Sequence, residues 1–410
     1  MNKHSFFSIN LLIACLSVGY FIVIFLHIFL KPDDYQQSFR IYYFAASAYF
    51  DNLNPYDSAV LCDLADKSYM FPYVYPPITL YLFYPFILIE YNIAANVFLV
   101  LKIISLVLLI SVWIKYFKVD NKEYGFFFLF LLCGINFTFY WDISNGNITV
   151  FEQLLLWYAF VMFTKKKYAT FMLLIMLSAI FKFTLLFFIV LLVLDNFKNN
   201  LKLIIVSVCI VLFYVILNYI LCYDVWEYYI DKIIYVKDIV SLNNYHNTSY
   251  PSLYNMLKIV YLRFIDLGMI VPNKYILQFV YLFASMTIVG ITYAQIRNAK
   301  SVLEEIDYKQ YIIALAVLVY ALICPRHAMY SYIIVLLPIY NLITHKKYIY
   351  YGILIVLLSA ITTNPTMPPG FRLLYGMLYP FYPVILVFIF WIIQLNYKPI
   401  YVKYKLRSSL

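Results

Sequence analysis

Carboxylates collect in one polar stretch that follows the first long apolar run of the chain. Residues 31–78, KPDDYQQSFRIYYFAASAYFDNLNPYDSAVLCDLADKSYMFPYVYPPI, contain six of the 20 acidic residues. A carboxylate with a suitable pKa can take a proton from a hydroxyl group, so we expect Asp33 or Asp34 to act as a general base. The alternative for Asp33 and Asp34 is structural, since aspartate is also common at the start of a helix.

Isolated cations at two boundaries between apolar runs suggest a second kind of chemistry. Lys182 interrupts the run LSAIFKFTLLFF, and Arg326 and His327 follow a proline between two other runs. A cation at the edge of a membrane is a natural partner for phosphate, and arginine suits a bidentate contact with it. We therefore expect these three residues to bind phosphate. The alternative is that they reach to the lipid headgroups.

Three further polar segments lie between the apolar runs, and one of them could contact a polar substrate. The segment WDISNGN at 141–147 predicts a tight turn between two helices, and the amides of Asn145 and Asn147 could bind sugar hydroxyls. Glu152 lies in the helix after this turn, where an unpaired carboxylate is costly. By itself, the segment YVYPP at 73–77 indicates an extended stretch that leads into a helix, and Asn247-Thr248-Ser249 matches the glycosylation pattern N-x-[ST].

The composition indicates the class of protein that must position these residues. The 410-residue chain is 65% hydrophobic and 12% charged, and its mean hydropathy is +0.83, which predicts a polytopic membrane protein. The net charge of +10 comes from short basic clusters between apolar runs, a pattern typical of membrane topology, so we expect no nucleic acid partner. The sequence contains no P-loop, no G-x-S-x-G segment and no Cys/His metal set, so no motif supports ATP-driven transport, serine hydrolysis or zinc chemistry. Because side chains can neutralise a monophosphate, the expected phosphate chemistry requires no metal ion and no cofactor, and a divalent ion stays an open alternative.

The apolar runs predict an all-α bundle of about twelve transmembrane helices. They are residues 9–30, 93–114, 126–141, 148–164, 168–181, 183–196, 201–222, 275–296, 310–325, 328–344, 348–361 and 375–395. The basic clusters fall on one side only if twelve segments cross, which places both termini in the cytoplasm. Residues 75–90 would add a thirteenth crossing and reverse this topology, so we predict a re-entrant or interfacial helix there. The polar residues described above then share the non-cytoplasmic face.

We expect a single integral membrane domain over residues 1–410. The first apolar run is long enough to span the hydrocarbon core and is not followed by a cleavage site, so we expect it to remain as the first helix. Residues 31–92 form an external loop that carries the catalytic groups. Residues 223–274 form a second long external loop on the membrane surface.

Taken together, these segments resemble glycosyltransferase family 87. The order of the acidic loop, FRIYYFAASAYFDNLNPYD, FPYVYPP, NGNITVFEQLLLWYAF and IFKFTLLFFIVLLVLD is similar to the order of motifs in that family, over residues 30–345. Gly146-Asn147 takes the place of the family's Gly-Gln, Lys182-Phe183 that of its Lys-Pro, and residues 247–250 that of its Asn-Gln-Ser-Leu. The resemblance thus adds Tyr75 and Asn247 to the expected substrate-binding residues. The family has a GT-C-type membrane fold and includes mannosyltransferases that use polyprenol-phosphate mannose.

One position departs from the family pattern. Family members read D-F-x-x-Y, whereas this chain reads SFRIY with Ser38 in place of the aspartate. On one helix, Asp34 would lie one turn before Ser38 and on the same face. Asp34 is therefore the first candidate for the base, with Asp33 and Asp57 as alternatives.

The resemblance implies an inverting glycosyltransferase in a bacterial plasma membrane, with its active site facing outside. It would transfer a hexose, with mannose in first place, from a polyprenyl-phosphate sugar to a lipid-linked or glycan acceptor. Asp34 would deprotonate the acceptor hydroxyl, and the cations at 182, 326 and 327 would stabilise the leaving phosphate.

Two alternatives to this function stay open. An O-antigen or polysaccharide polymerase or ligase would rely on arginines in the loop 223–274, where the sequence has only Arg263. A lipid or polysaccharide flippase would need polar residues spread through the depth of the bundle.

Overall fold

The computed structural model describes residues 3–117, 124–239, 250–269, 273–344 and 379–396. All regular elements in these ranges are helices, which confirms the all-α prediction. We number the α-helices α1 (Lys3–Leu30), α2 (Gln37–Phe50), α3 (Ser58–Ala65), α4 (Leu80–Ile87), α5 (Tyr91–Tyr116), α6 (Tyr124–Asn145), α7 (Thr149–Thr164), α8 (Tyr168–Ser178), α9 (Val190–Leu221), α10 (Tyr223–Ile239), α11 (Leu253–Asp266), α12 (Lys274–Lys300), α13 (Glu305–Ile323), α14 (Ile333–Thr344) and α15 (Tyr382–Asn396). Short 3₁₀ segments precede α4, α9, α14 and α15.

The helices divide into a buried centre and an apolar periphery. The most apolar stretches of α1, α9 and α12 are only 17%, 11% and 17% buried within the protein, whereas that of α13 is 72% buried. Large exposed apolar surfaces would be costly in water but are matched by lipid tails. The outer helices therefore face the membrane, and α7, α13 and α14 form the centre of the bundle.

Five helices within the described ranges are long and apolar enough to cross a membrane. They are Asn10–Leu30, Tyr91–Tyr116, Phe183–Leu221, Tyr275–Lys300 and Glu305–Ile323. A sixth span results if the two parts of α6, which meet at an angle of 65°, count as one. The chain is thus a multi-pass membrane protein, while the number of about twelve spans and the cytoplasmic termini stay predictions. The predicted span at 348–361 lies outside the described residues.

The apolar segment Phe183–Leu221 is not one straight helix, because the predicted spans 183–196 and 201–222 form the two limbs of a helical hairpin. Asn196 has extended backbone angles, φ −157° and ψ 94°, in the middle of that segment. The ring of Phe183 lies 5.7 Å from that of Tyr214, although 31 residues of straight helix would span about 46 Å. The chain therefore turns back at Asn196, whose Oδ1 accepts a hydrogen bond from the backbone N–H of Asn199 and caps the second limb.

The segment from Pro77 to Ile87 is too short to cross a membrane. A 3₁₀ turn at Pro77–Thr79 leads into α4, and together they have eleven residues, or about 16 Å of helix against a hydrocarbon core of about 30 Å. This length agrees with a re-entrant or interfacial helix at 75–90. Its depth in the membrane stays a prediction, as does the surface position of α10 and α11 in the loop 223–274.

The predicted turn at 141–147 is wrong in its first five residues, because α6 continues to Asn145. The helix ends in a C-terminal cap in which the Gly146 N–H donates to the carbonyl of Ile143 and the Asn147 N–H to that of Asp142. Gly146 has φ +65°, the left-handed conformation that glycine adopts most easily at this position. The segment NGN is therefore the cap of a longer helix, and Asp142 lies inside that helix.

The expected helical alignment of Asp34 with Ser38 is also wrong. After α1, residues 31–34 form a turn in which the Asp34 N–H donates to the Lys31 carbonyl. Gln36 then adopts a left-handed conformation, φ 56°, and α2 begins only at Gln37. Asp34 therefore lies before α2, and neither aspartate at 33 or 34 caps that helix.

Candidate active site

Lys182 lies at the centre of a group of buried polar side chains. Its Nζ donates to Glu152 Oε2 at 2.7 Å and to Thr149 Oγ1 at 3.0 Å, both in the first turn of α7. The Lys182 side chain is 23% exposed and that of Glu152 only 5%. Burial lowers the pKa of Lys182, but the Glu152 carboxylate and Tyr75 outweigh it and raise that pKa above its ordinary value. Lys182 is therefore a charged ammonium that keeps an opening towards solvent.

A second ion pair is fully enclosed in the bundle. Lys102 Nζ lies 2.8 Å from Asp142 Oδ2, and both side chains are 0% exposed. The same ammonium donates to the carbonyl oxygens of Asp142 and Asn147, each at 2.5 Å. Lys102 therefore links the middle of α5, through these hydrogen bonds, to the cap at the end of α6.

The two pairs are connected by hydrogen bonds through the start of α7. Asn147 Oδ1 accepts from both the N–H and the hydroxyl of Thr149, at 3.2 and 2.8 Å. Thr149 in turn accepts from Lys182, so an unbroken series of contacts runs from Lys102 through Asn147 and Thr149 to Lys182. The position of Lys182 thus depends on a lysine 80 residues earlier in the chain.

The sequence analysis did not single out Lys102 and treated Asp142 as part of a turn. A signal was present, because Lys102 interrupts the apolar run of α5, and an ionisable residue inside a membrane span is by itself a candidate functional residue. Its partner could not be read from the sequence.

Tyrosines form one wall beside Lys182. The Lys182 ammonium lies 5.5 Å from the ring centre of Tyr330, within the range of a cation–π contact. Tyr75 hydrogen-bonds to Asn147, and its hydroxyl lies 3.3 Å from that of Tyr42. Burial raises the pKa of Tyr75, so its hydroxyl stays protonated. The structure therefore brings the predicted residues Tyr75 and Asn147 to Lys182.

His327 lies close to this group but is not a cation. It is 1% exposed and packs edge-on between the rings of Tyr320 and Tyr332, at 5.7 and 4.4 Å. Burial, and then the charge of Lys182, lower its pKa to about 3, so the imidazole is neutral at physiological pH. Its Nε2 has no hydrogen-bond partner among the described residues. The expectation of a cationic His327 is thus wrong, and the neighbouring Arg326, exposed at its surface, is the charged member of this turn.

The predicted carboxylates differ in what they contact. Asp33 pairs with Arg40 at 3.4 Å, and Arg40 also donates to the Asp33 carbonyl. Asp57 caps α3 by accepting the Ala59 N–H at 2.9 Å. Asp34 is exposed, and its carboxylate has no partner within the described part of the chain. Two of the three candidates therefore have structural contacts, and Asp34 does not.

The acidic loop joins the site through the residues just after Asp34. The Gln36 N–H donates to the Ser144 carbonyl at 2.6 Å, and the Gln36 side chain donates to the carbonyl of Ala95. A Cβ on Gly146 would lie 3.0 Å from atoms of Gln36 and of Phe39. The start of α2 thus packs directly against the Gly146-Asn147 cap.

Two of the predicted substrate-binding residues are not part of this group. Asn145 is the last residue of α6 and is half-buried, and Asn247 lies outside the described residues. As for a metal ion, the described ranges contain no group of three or more His, Cys, Asp or Glu side chains that could hold one.

Fold and site together define a multi-pass membrane protein with a cation and several tyrosines gathered at one end of its helical bundle. The model of glycosyltransferase family 87 matches residues 73–319, and the chain belongs to that family. The chain finds no match among curated proteins or among solved structures. It is therefore a membrane glycosyltransferase, and the matched range includes Tyr75, Asn147 and Lys182.

Proposed function

We propose that the protein transfers a hexose from a polyprenyl-phosphate sugar to a hydroxyl of a lipid-linked or glycan acceptor. Mannose is the first candidate for this hexose. The reaction would take place on the non-cytoplasmic face of a bacterial plasma membrane. The observation that carries the proposal is Lys182, a partly exposed ammonium among buried polar and aromatic groups. An enclosed cation of this kind suits a phosphate that gains negative charge during the reaction.

The chemistry is an inverting displacement at the anomeric carbon. The acceptor oxygen forms a bond to that carbon, the bond from the carbon to the phosphate oxygen breaks, and the base receives the hydroxyl proton. Polyprenyl phosphate leaves with the electron pair, and Lys182 stabilises its developing charge. Arg326, and the neutral His327 as a hydrogen-bond partner, would assist at the same phosphate.

The sugar would be held by the groups around Lys182. Glu152 Oε1 has no hydrogen-bond partner among the described residues, so it can accept a sugar hydroxyl. The rings of Tyr75 and Tyr330 offer apolar faces and hydroxyls to a pyranose. Buried groups that need a polar partner favour a polar ligand over an apolar one.

Glu152 is unsuited to be the base. In an in-line displacement the nucleophile and the leaving group lie on opposite sides of the reacting carbon, whereas Glu152 bonds the phosphate-binding cation and so lies on the leaving-group side. Asp34 remains our proposal for the base, because its carboxylate has no partner among the described residues and the residues after it pack on the Gly146-Asn147 cap. Asp33 and Asp57 are the alternatives.

The test uses purified full-length protein with a panel of polyprenyl-phosphate sugars, a nucleotide sugar as comparator, and mass analysis of the products. We expect transfer from a polyprenyl-phosphate sugar and a fall in kcat of about a hundredfold or more for Lys182→Met. Lys67→Met, at an exposed lysine of the acidic loop, is the matched control and should keep full activity. Use of the nucleotide sugar alone, or unchanged donor kinetics in Lys182→Met, contradicts the proposal.

The same assay assigns the base. Asp34→Asn should abolish transfer while expression and thermal stability are kept. Asp57→Ser retains a side chain that caps α3 but removes the carboxylate, so it separates capping from catalysis. If Asp34→Asn is fully active and Asp57→Ser is inactive, the general base is Asp57.

A further inference from the structure

A polar cleft lies at the other end of the bundle from Lys182. It has a volume of about 390 Å³ and opens between the end of α7, the turn of α9 and the connection from α12 to α13. Its polar lining includes Lys166, Lys300, Asp195, Asn196, Asn199 and Glu305. Helix α7 runs from Glu152 in its first turn to Lys166 just past its end. About 21 Å of helix therefore separates the cleft from the polar side chains around Lys182.

Two lysines and two carboxylates line the cleft, and a third lysine lies buried beneath it. Glu305 lies between two lysines, with Oε2 2.6 Å from Lys166 and Oε1 3.2 Å from the buried Lys309. The Lys300 ammonium donates to the backbone carbonyl of Asp195, whose carboxylate accepts the hydroxyl of Tyr168 at 2.6 Å. With Lys309, which is 1% exposed and lies beneath the lining, three lysines surround two carboxylates, and an anion in the cleft would balance the charge.

Lys166 occupies a backbone position that usually belongs to glycine. Its φ is +61°, and the Lys166 and Lys167 N–H groups close the end of α7 onto the carbonyls of Phe163 and Met162. Glycine takes the left-handed residue of such a cap without steric cost, whereas a lysine does not. The turn alone therefore does not explain why a lysine stands at the rim of the cleft.

Apolar side chains flank the cleft on its outer side. Phe197 and Leu201 on α9 are 50% and 41% exposed, and Val302 and Ile306 beside α13 are 67% and 54% exposed. A lipid whose headgroup occupied the cleft could lay its acyl chains along these residues. A free anion has no acyl chains and would not contact these apolar residues.

We infer that this cleft binds the phosphate of an anionic phospholipid headgroup. Lys166 and Lys300 contact the phosphate, and the amides of Asn196 and Asn199 contact headgroup hydroxyls. Basic pockets between membrane helices recognise anionic headgroups in this manner. The site is separate from the catalytic groups, and its occupancy does not depend on the proposed reaction.

The experiment measures retained lipid by native mass spectrometry of the full-length protein, purified in detergent with equal amounts of phosphatidylglycerol and phosphatidylcholine. We expect clear preference for phosphatidylglycerol, and about a fivefold loss of its occupancy in Lys300→Gln and in Lys166→Gln, the effect of one lysine near an anionic lipid surface. Lys300→Arg and Lys166→Arg keep the charge and should keep the lipid.

Lys115→Gln is the matched control. Lys115 is exposed at the end of α5, and the neighbouring Tyr116 ring lies 4.7 Å from the Lys165 ammonium, so it is at the same end of the bundle without lining the cleft. Equal lipid loss in Lys115→Gln would mean diffuse attraction by surface charge and would overturn the inference. Equal retention of both lipids would overturn it too, and so would displacement of phosphatidylglycerol by millimolar inorganic phosphate, which would indicate a free-phosphate site.

Discussion

Lys102 and Asp142 form the most enclosed ion pair of the described chain, and their contacts suggest a positioning role. Two opposite charges buried together recover their cost of dehydration only with good geometry and further hydrogen bonds. Lys102 Nζ lies 2.8 Å from the Asp142 carboxylate and also donates to the carbonyls of Asp142 and Asn147. The pair therefore fixes the backbone from which Thr149 and Lys182 take their positions.

Separate substitutions distinguish this role from simple stabilisation. Lys102→Met leaves a buried aspartate unpaired and should lower the free energy of unfolding by about 3 to 5 kcal/mol, whereas Lys102→Met with Asp142→Leu should recover most of it. Transfer should stay about a hundredfold reduced in the double variant, because the Asn147 carbonyl loses its donor and the site shifts. Thermal melts and initial rates measure the two effects, and full activity of the double variant would contradict a positioning role.

His327 makes stability depend on pH in a defined direction. Burial lowers its pKa to about 3, while the unfolded chain has an ordinary value near about 6.5. The unfolded state therefore takes up a proton first as pH falls. The stability that the buried, neutral His327 contributes is complete above about pH 6.5 and is lost as pH falls towards 3.

Protonation of His327 in the unfolded state should lower the free energy of unfolding by about 2 kcal/mol between about pH 7 and about pH 5. Thermal melts of wild type and His327→Gln across this range measure it, because the variant lacks the titrating group. The wild-type curve should fall more steeply than that of the variant. Parallel curves would mean that the imidazole is not held neutral.

At the scale of elements, the contact between α2 and the end of α6 rests on Gly146. This residue combines a left-handed φ of 65° with atoms of Gln36 and Phe39 at 3.0 Å from where a Cβ would stand. The left-handed φ favours glycine and the close contact requires it, and together they bring the acidic loop against Asn147.

Gly146→Ala should therefore lower the free energy of unfolding by about 1 to 3 kcal/mol and reduce transfer, since the start of α2 must move away. Gly290→Ala is the control, because a Cβ at Gly290 in α12 meets no atom within 4 Å. Melting curves and transfer rates of both variants provide the comparison. A Gly146→Ala protein as stable and active as Gly290→Ala would show that the close contact is not needed.

At the scale of the whole molecule, the two polar ends of the bundle should face opposite sides of the membrane. The acidic loop contains the exposed Ser68, and the connection between α12 and α13 contains the exposed Ser301. The distribution of lysines predicts that the first lies outside and the second in the cytoplasm.

Cysteine labelling of intact cells tests this orientation. In a background with Cys62 replaced by serine, Ser68→Cys should react with a membrane-impermeant thiol reagent, and Ser301→Cys should react only after permeabilisation. Reaction of both in intact cells, or the reverse pattern, would contradict the predicted topology.

The sequence by itself determined the membrane class, the all-α fold and the family, because hydropathy and motif order are properties of continuous stretches of chain. It also singled out Lys182, Tyr75 and Asn147 as candidates, and the structure brings these three together, while their roles stay predictions. It misjudged the start of α2 and the end of α6, where single left-handed residues decide the boundary.

Only the tertiary structure decided which charges meet. The Lys102–Asp142 and Lys182–Glu152 pairs join residues 40 and 30 positions apart on different elements, and no local pattern specifies such distances. The neutral state of His327 likewise follows from its burial between aromatic rings. Helix packing brings these groups together because burying an ionisable group without a partner is far more costly than burying it with one.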